Sequence, residues 1–147
     1  MVSTMSVESV SIALRGWASD GRIVAGDDFL LPLNARLDPP VVRIDESAGV
    51  WRSVVVSFLD NELAQFGHYE EPTEAFAEAV SEAFGRFAVW LSDRDPAVFD
   101  ELRSQGITID VSVSCWIEES QFSILIPPLF LLECGKRGLA IDICTND

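Results

Sequence analysis

The chain has 147 residues, 48% of them hydrophobic, and sets 24 acidic side chains against 10 basic ones for a net charge of −14. That length sets the expectation of a single domain over residues 1–147, able to bury a core without disulfide or metal staples. The charge repels nucleic-acid phosphates and anionic lipid, so neither is expected as a partner, whereas a basic protein would be attracted.

Along the chain, Val7 to Leu14 alternates, with Val10, Ile12 and Leu14 on one side, and predicts a half-buried strand. Trp17 to Gly26 reads as loop. Asp27-Asp28 then caps a short helix over Phe29 to Leu37, in which Pro32 is tolerable only in the first turn. Val41 to Ile44 and Val50 to Phe58 predict two strands joined as a hairpin. After a polar connection, Pro72 opens a helix whose apolar stripe runs Phe76, Val80, Phe84, Phe87, Leu91, with Glu74, Glu78, Glu82 and Arg86 opposite.

Punctuation is densest in the last third. Asp95-Pro96 is a cap and first residue for a helix that Gly106 closes, and Ile107 to Ile117 alternates as a long strand. A further short strand is expected at Ser123 to Leu125. Pro127-Pro128 opens a leucine-rich helix ended by Gly138, and Leu139 to Ile143 alternates again. Interleaved helices and strands with two short β-β junctions predict an α+β two-layer sandwich. Its mixed, mostly antiparallel sheet would have about six strands, with helices on one face and a ferredoxin-like character.

Strand parity adds a surface. If the apolar sets face the helices, the other face carries Trp51, Ser53, Val55 and Ser57 on one strand and Thr108, Asp110, Ser112, Ser114 and Trp116 on another. Trp51, Ser53, Asp110, Ser112, Ser114 and Trp116 are therefore candidate partner-binding residues, for a protein partner or a second copy of the chain. The competing reading is an ordinary solvated sheet face.

Chemistry is sparse. His68 is the single histidine and sits in a polar loop, and Cys115, Cys134 and Cys144 are an odd, widely spaced set that suits core packing in a reducing cytoplasm. No signal peptide is visible, and the longest apolar run, Ile124 to Leu132, is short and holds two prolines, so no membrane span is expected. No cofactor, nucleophile or zinc motif stands out, and no catalytic, cofactor-binding or metal set is assigned. The acid pairs Asp27-Asp28, Asp45-Glu46, Glu70-Glu71 and Glu118-Glu119 could hold a divalent cation or serve a small enzyme, yet each also suits a loop or helix end.

The run Phe99 to Gly106, the strand Ile107 to Ile117, then Ser123 to Pro128, Leu129 to Gly138 and Leu139 to Ile143, resembles the closing third of a bacterial family catalogued as domain of unknown function 4279. Asp27-Asp28, Leu37-Asp38-Pro39 and Trp51 echo its N-terminal half. The resemblance implies a small cytoplasmic α+β domain and carries no catalytic residue. The reading is a non-enzymatic interaction module, either an immunity-type inhibitor of a basic toxin or a homodimeric regulatory module. A small enzyme or metal-binding protein using loop carboxylates is the alternative.

Overall fold

A computed structural model describes residues 9–20, 24, 26–34, 41–46, 52–59, 74–116 and 124–145. The elements are β1 (Ser9–Ala18), α1 (Gly26–Leu33), β2 (Val41–Glu46), β3 (Arg52–Leu59), α2 (Glu74–Ser92), α3 (Pro96–Ser104), β4 (Ile107–Trp116), α4 (Pro128–Lys136) and β5 (Ala140–Thr145). They make an α+β structure with one mixed sheet in the order β2-β3-β1-β4-β5. The ladders β2–β3, β3–β1 and β1–β4 are antiparallel, and β4–β5 is parallel.

Five strands are described where about six were expected. The difference is the stretch before α4: residues 124–127 belong to no strand, and Ser123 lies outside the described residues. Pro127 and Pro128 supply no N–H to a ladder, and Leu125 is left 82% exposed. The chain therefore passes from β4 through α4 and returns to pair with β4 in parallel, as a β-α-β crossover.

Two other boundaries moved. β1 continues four residues past Leu14, because it is the central strand and β4 pairs with it through Ala18. On its helix side, Gly16 leaves room for the Phe29 ring of α1: a Cβ there would stand only 2.3 Å from a ring carbon. α1 begins at Gly26 rather than Phe29, so Asp27 and Asp28 lie inside its first turn, where the helix dipole favours acids. Pro32 falls in its last turn, not its first, and the helix stops one residue later, with Asn34 in the left-handed region at φ 55°.

Elsewhere the local chemistry sets the ends. The Asp95 carboxylate accepts from the Ala97 N–H at 2.9 Å, and Pro96 follows it into α3. Gly106 and Gly138 take φ of 81° and 64° just past α3 and α4, a conformation that costs glycine nothing.

One contiguous core results. It joins the inward side chains of all four helices to one sheet face: Val10, Ile12, Leu14 and Ala18 of β1, Val54 and Val56 of β3, and Ile107, Ile109, Val111, Val113 and Cys115 of β4. The β1–β3 register shifts between Ile12 and Ala13, and around that irregularity Phe58 and Leu59 are both buried despite being consecutive. Phe58 stacks on Phe87 of α2 at 4.0 Å, and Phe130 of α4 lies 5.0 Å from Phe84 and 4.9 Å from Phe87.

Candidate functional site

On the opposite sheet face, parity holds as read from the sequence: Ser57 pairs with Ala13, Ser112 with Ala13, and Asp110 with Arg15. The face is not an open polar plain, however. Ala13, Val55, Ser57, Asp110 and Ser112 are all buried, although Ala13 and Val55 stand outside the helix-side core. Of the six candidate partner residues, Ser114 is exposed, while Asp110 and Ser112 are buried. Ser53 and Trp116 lie in β3 and β4, but their side chains, like the whole of Trp51, fall outside the described residues.

The centre of this face is an ion-pair cluster. Arg15 grips Asp110 with two parallel bonds, Nε to Oδ1 at 3.0 Å and Nη2 to Oδ2 at 2.7 Å, and Nη2 also reaches Asp142 Oδ2 on β5 at 3.2 Å. Its guanidinium lies 5.4 Å from the Trp17 ring centre. The bond to Asp110 holds the guanidinium charged, with its pKa above the ordinary arginine value despite burial. Cys144 Sγ approaches Asp142 Oδ2 at 3.7 Å. Arginine does not release a proton in the neutral range, and its fork is occupied by the two carboxylates, so the cluster is built to tie β1, β4 and β5 together rather than to move protons.

A second set of arginines closes the helix ends. The last carbonyls of a helix have no partner within it. Arg94 donates from Nε to Leu33 O at 2.7 Å and from Nη2 to Asn34 O at 3.4 Å, at the end of α1, and from Nη1 to Trp90 O at 2.9 Å in α2. It also stacks 3.9 Å over Trp90, and burial pushes its pKa down to about 10. Arg137 donates to Arg94 O from Nε at 3.1 Å and Nη2 at 2.6 Å, and pairs with Glu133 Oε2 at 2.9 Å. Arg103 in turn donates to Arg137 O and to Gly138 O. Three arginines thus supply donors to the C-terminal ends of α1, α2 and α4. Nine of the ten bases are arginine, a sequence signal for such multi-carbonyl contacts that points to no particular target.

The remaining sequence candidates are exposed, end a strand or lie outside the described residues. Asp27 and Asp28 are exposed on α1, Asp45-Glu46 ends β2, and His68, Glu70-Glu71 and Glu118-Glu119 lie outside the described residues. Among the described residues no group of three His, Cys, Asp or Glu side chains is placed to hold a metal. Cys115 and Cys134 are buried thiols, and burial pushes Cys134 up to about 12, which leaves it inert as a nucleophile.

Sequence reasoning missed the apolar rim formed by α4 and β5. Leu129, Leu131 and Leu132 on the outer side of α4 are exposed, as are Leu125 before it and Ile143 on β5, an outer strand of the sheet. The signal was the continuous run Ile124 to Leu132, in which apolar residues occupy every helical phase instead of one stripe. Among the described residues no helix is long and apolar enough to cross a membrane. A comparison with family profiles, curated proteins and solved structures finds no match for this chain.

Proposed function

We propose that the chain is a non-enzymatic protein-interaction module. Its ferredoxin-like core, β1-α1-β2-β3-α2-β4, is extended by α3 and by the α4–β5 unit. The observation that carries this reading is the apolar rim of α4 and β5, five branched aliphatic side chains exposed on one short segment of a very acidic protein. Exposed apolar side chains grouped on one segment mark contact sites, whereas scattered single residues do not. The polar groups support the same reading from the other side, since the Arg15 and Arg137 clusters are occupied by their own carboxylates and carbonyls. The resemblance to domain of unknown function 4279 rests on this same α3–β5 stretch, which is where the proposed contact surface lies.

The reading separates from a carboxylate-based enzyme or metal protein by thermal unfolding with and without Mg²⁺, Mn²⁺ or Ca²⁺. A ligand that binds only the folded state must raise the melting temperature. The expected result is no shift; a rise of several degrees with any of the three would overturn the proposal.

A further inference from the structure

We propose that the partner on this rim is a second copy of the chain, docked β5 edge to β5 edge across a two-fold axis with the outer faces of the two α4 helices in contact. This rests on the interaction-module reading and names its partner.

Three observations converge on it. The first is where the charge is absent. Residues 124–145 contain two acids, Glu133 and Asp142, and two bases, Lys136 and Arg137, so the segment is neutral and the rest of the chain carries the whole −14. Both acids are already engaged, Glu133 by Arg137 at 2.9 Å and Lys136 at 3.5 Å, and Asp142 by Arg15 at 3.2 Å. Two copies that each carry −14 repel, and this is the surface on which they can meet with the least repulsion. A basic partner would gain little from a neutral surface and would do better elsewhere on the molecule.

The second observation is the edge itself. β5 is hydrogen-bonded to β4 on one side and to no described strand on the other. Outer strands are commonly guarded by lysine, proline or a bulge, and Ala140-Ile141-Asp142-Ile143-Cys144-Thr145 carries no lysine or proline. Ile143 pairs in register with Val113, which places it on the helix side of the sheet, yet it is 55% exposed. An isologous antiparallel β5–β5 ladder would join the two five-stranded sheets into one and leave both helix layers on the same side.

The third is the fit of the helices. α4 packs beside α2 in the helix layer and leaves Ile143, on the same side of the sheet, uncovered. Across the axis, the exposed leucines of α4 and those of its copy would cover the two Ile143 side chains and each other. The surface between them would be Leu131 and Leu132 with Gly135, above which a Cβ would meet nothing within 4 Å.

Sedimentation velocity over a range of protein concentrations tests the proposal, with variants chosen on exposed positions so that the fold is kept. The wild-type chain is expected to dimerise, and to dimerise more tightly as salt is raised, because screening removes the repulsion of the acidic bodies. Ile143→Lys and Leu132→Lys are expected to be folded monomers by circular dichroism. Val89→Lys changes an equally exposed apolar residue on α2 and should leave the dimer intact. Cys144 is the one thiol that is not buried, so a short bis-maleimide should link two wild-type chains and should not link Ile143→Lys. A wild-type monomer at every concentration would overturn the proposal while leaving the divalent-cation result for the module reading untouched. A dimer indifferent to Ile143→Lys and Leu132→Lys, a dimer broken by Val89→Lys, or open-ended oligomers of the kind a β5–β2 pairing would build, would each overturn it as well.

Discussion

α2 and α4 pack side by side on the same cluster of phenylalanines, and their outer faces could hardly differ more. α2 buries Val80, Phe84, Phe87 and Leu91 and turns Glu78, Ser81, Glu82, Arg86 and Ser92 to water, with Val89 the one large apolar exception among its described side chains. α4 buries Phe130 and Cys134 just as completely and turns three leucines outward. A helix apolar on one stripe is finished once that stripe is covered; a helix apolar all round has a second surface still to cover. The difference is why the proposed contact surface is put on α4, because the two inner faces demand the same thing of the fold and only the outer faces diverge.

If the inner faces are equivalent, removing a ring from either should cost the same. Phe87→Ala and Phe130→Ala should each destabilise the protein by about 3–5 kcal/mol in urea unfolding, since each deletes a fully buried ring that touches two or more others. A loss at Phe130 far below that at Phe87 would mean that α4 is an appendage to the core and not part of it.

The arginines on the two helices sharpen the contrast. Arg137→Met leaves the Glu133 carboxylate and the Arg94 carbonyl buried without their main donor, at a cost of about 3 kcal/mol. Arg86→Ala removes one bond from an exposed side chain to Phe58 O at 2.8 Å, which is worth about 1 kcal/mol. The ratio between the two, read from urea midpoints, is the measurement; equal losses would contradict the burial of the Arg137 cluster.

These arginine contacts also mark where the sequence stopped being legible. The α2 stripe, the Asp95-Pro96 cap and the glycine stops at 106 and 138 are local chemistry, and each could be read off neighbouring residues. Arg15 lies one residue beyond the alternation from Val7 to Leu14, so that stretch alone does not pair it with Asp110; carrying the alternation through Arg15 and Trp17 puts Arg15 on the Asp110 face. The burial of Asp110 and Ser112 was beyond reach for a different reason. Parity says which side of a sheet a residue is on and nothing about what covers that side. The parallel return of β5 was hidden likewise, because Ser123 to Leu125 alternates like a strand and only the two prolines after it argue otherwise.

Raising the pH should loosen α4 before α2. The Cys134 thiol on the inner face of α4 has its pKa raised to about 12 by burial, above the ordinary value near 9, while the described buried residues of the α2 inner face include no titrating group. The folded state therefore holds a proton that the unfolded chain releases. Its stabilising contribution is complete below pH 9 and is lost as the pH rises toward 12, with a limiting slope of about 1.4 kcal/mol per pH unit. Cys115, also raised by burial, acts in the same direction, while relief of the buried Arg94 charge opposes both from about pH 10 upward. Cys134→Val should flatten the decline between pH 9 and 10, measured by urea unfolding; an unchanged slope would show that the thiol is not the group responsible.

The smallest effect separates the two outer faces most cleanly. Each helix carries an interior glycine, Gly85 in α2 and Gly135 in α4, and at both a Cβ would meet nothing within 4 Å. In a lone chain, alanine at either position should stabilise by about 0.5–1 kcal/mol, because it narrows the unfolded backbone and nothing in the fold resists it. The two substitutions should therefore be indistinguishable in thermal unfolding at concentrations where the chain is a monomer. They should part company in association. A methyl group at Gly85 lies outside the proposed contact and should leave the dimer constant alone, whereas one at Gly135 stands in the seam between two α4 helices and should change it. Equal behaviour in both measurements would leave the glycine on α4 with no more significance than the one on α2, and would remove the seam from the argument for the dimer.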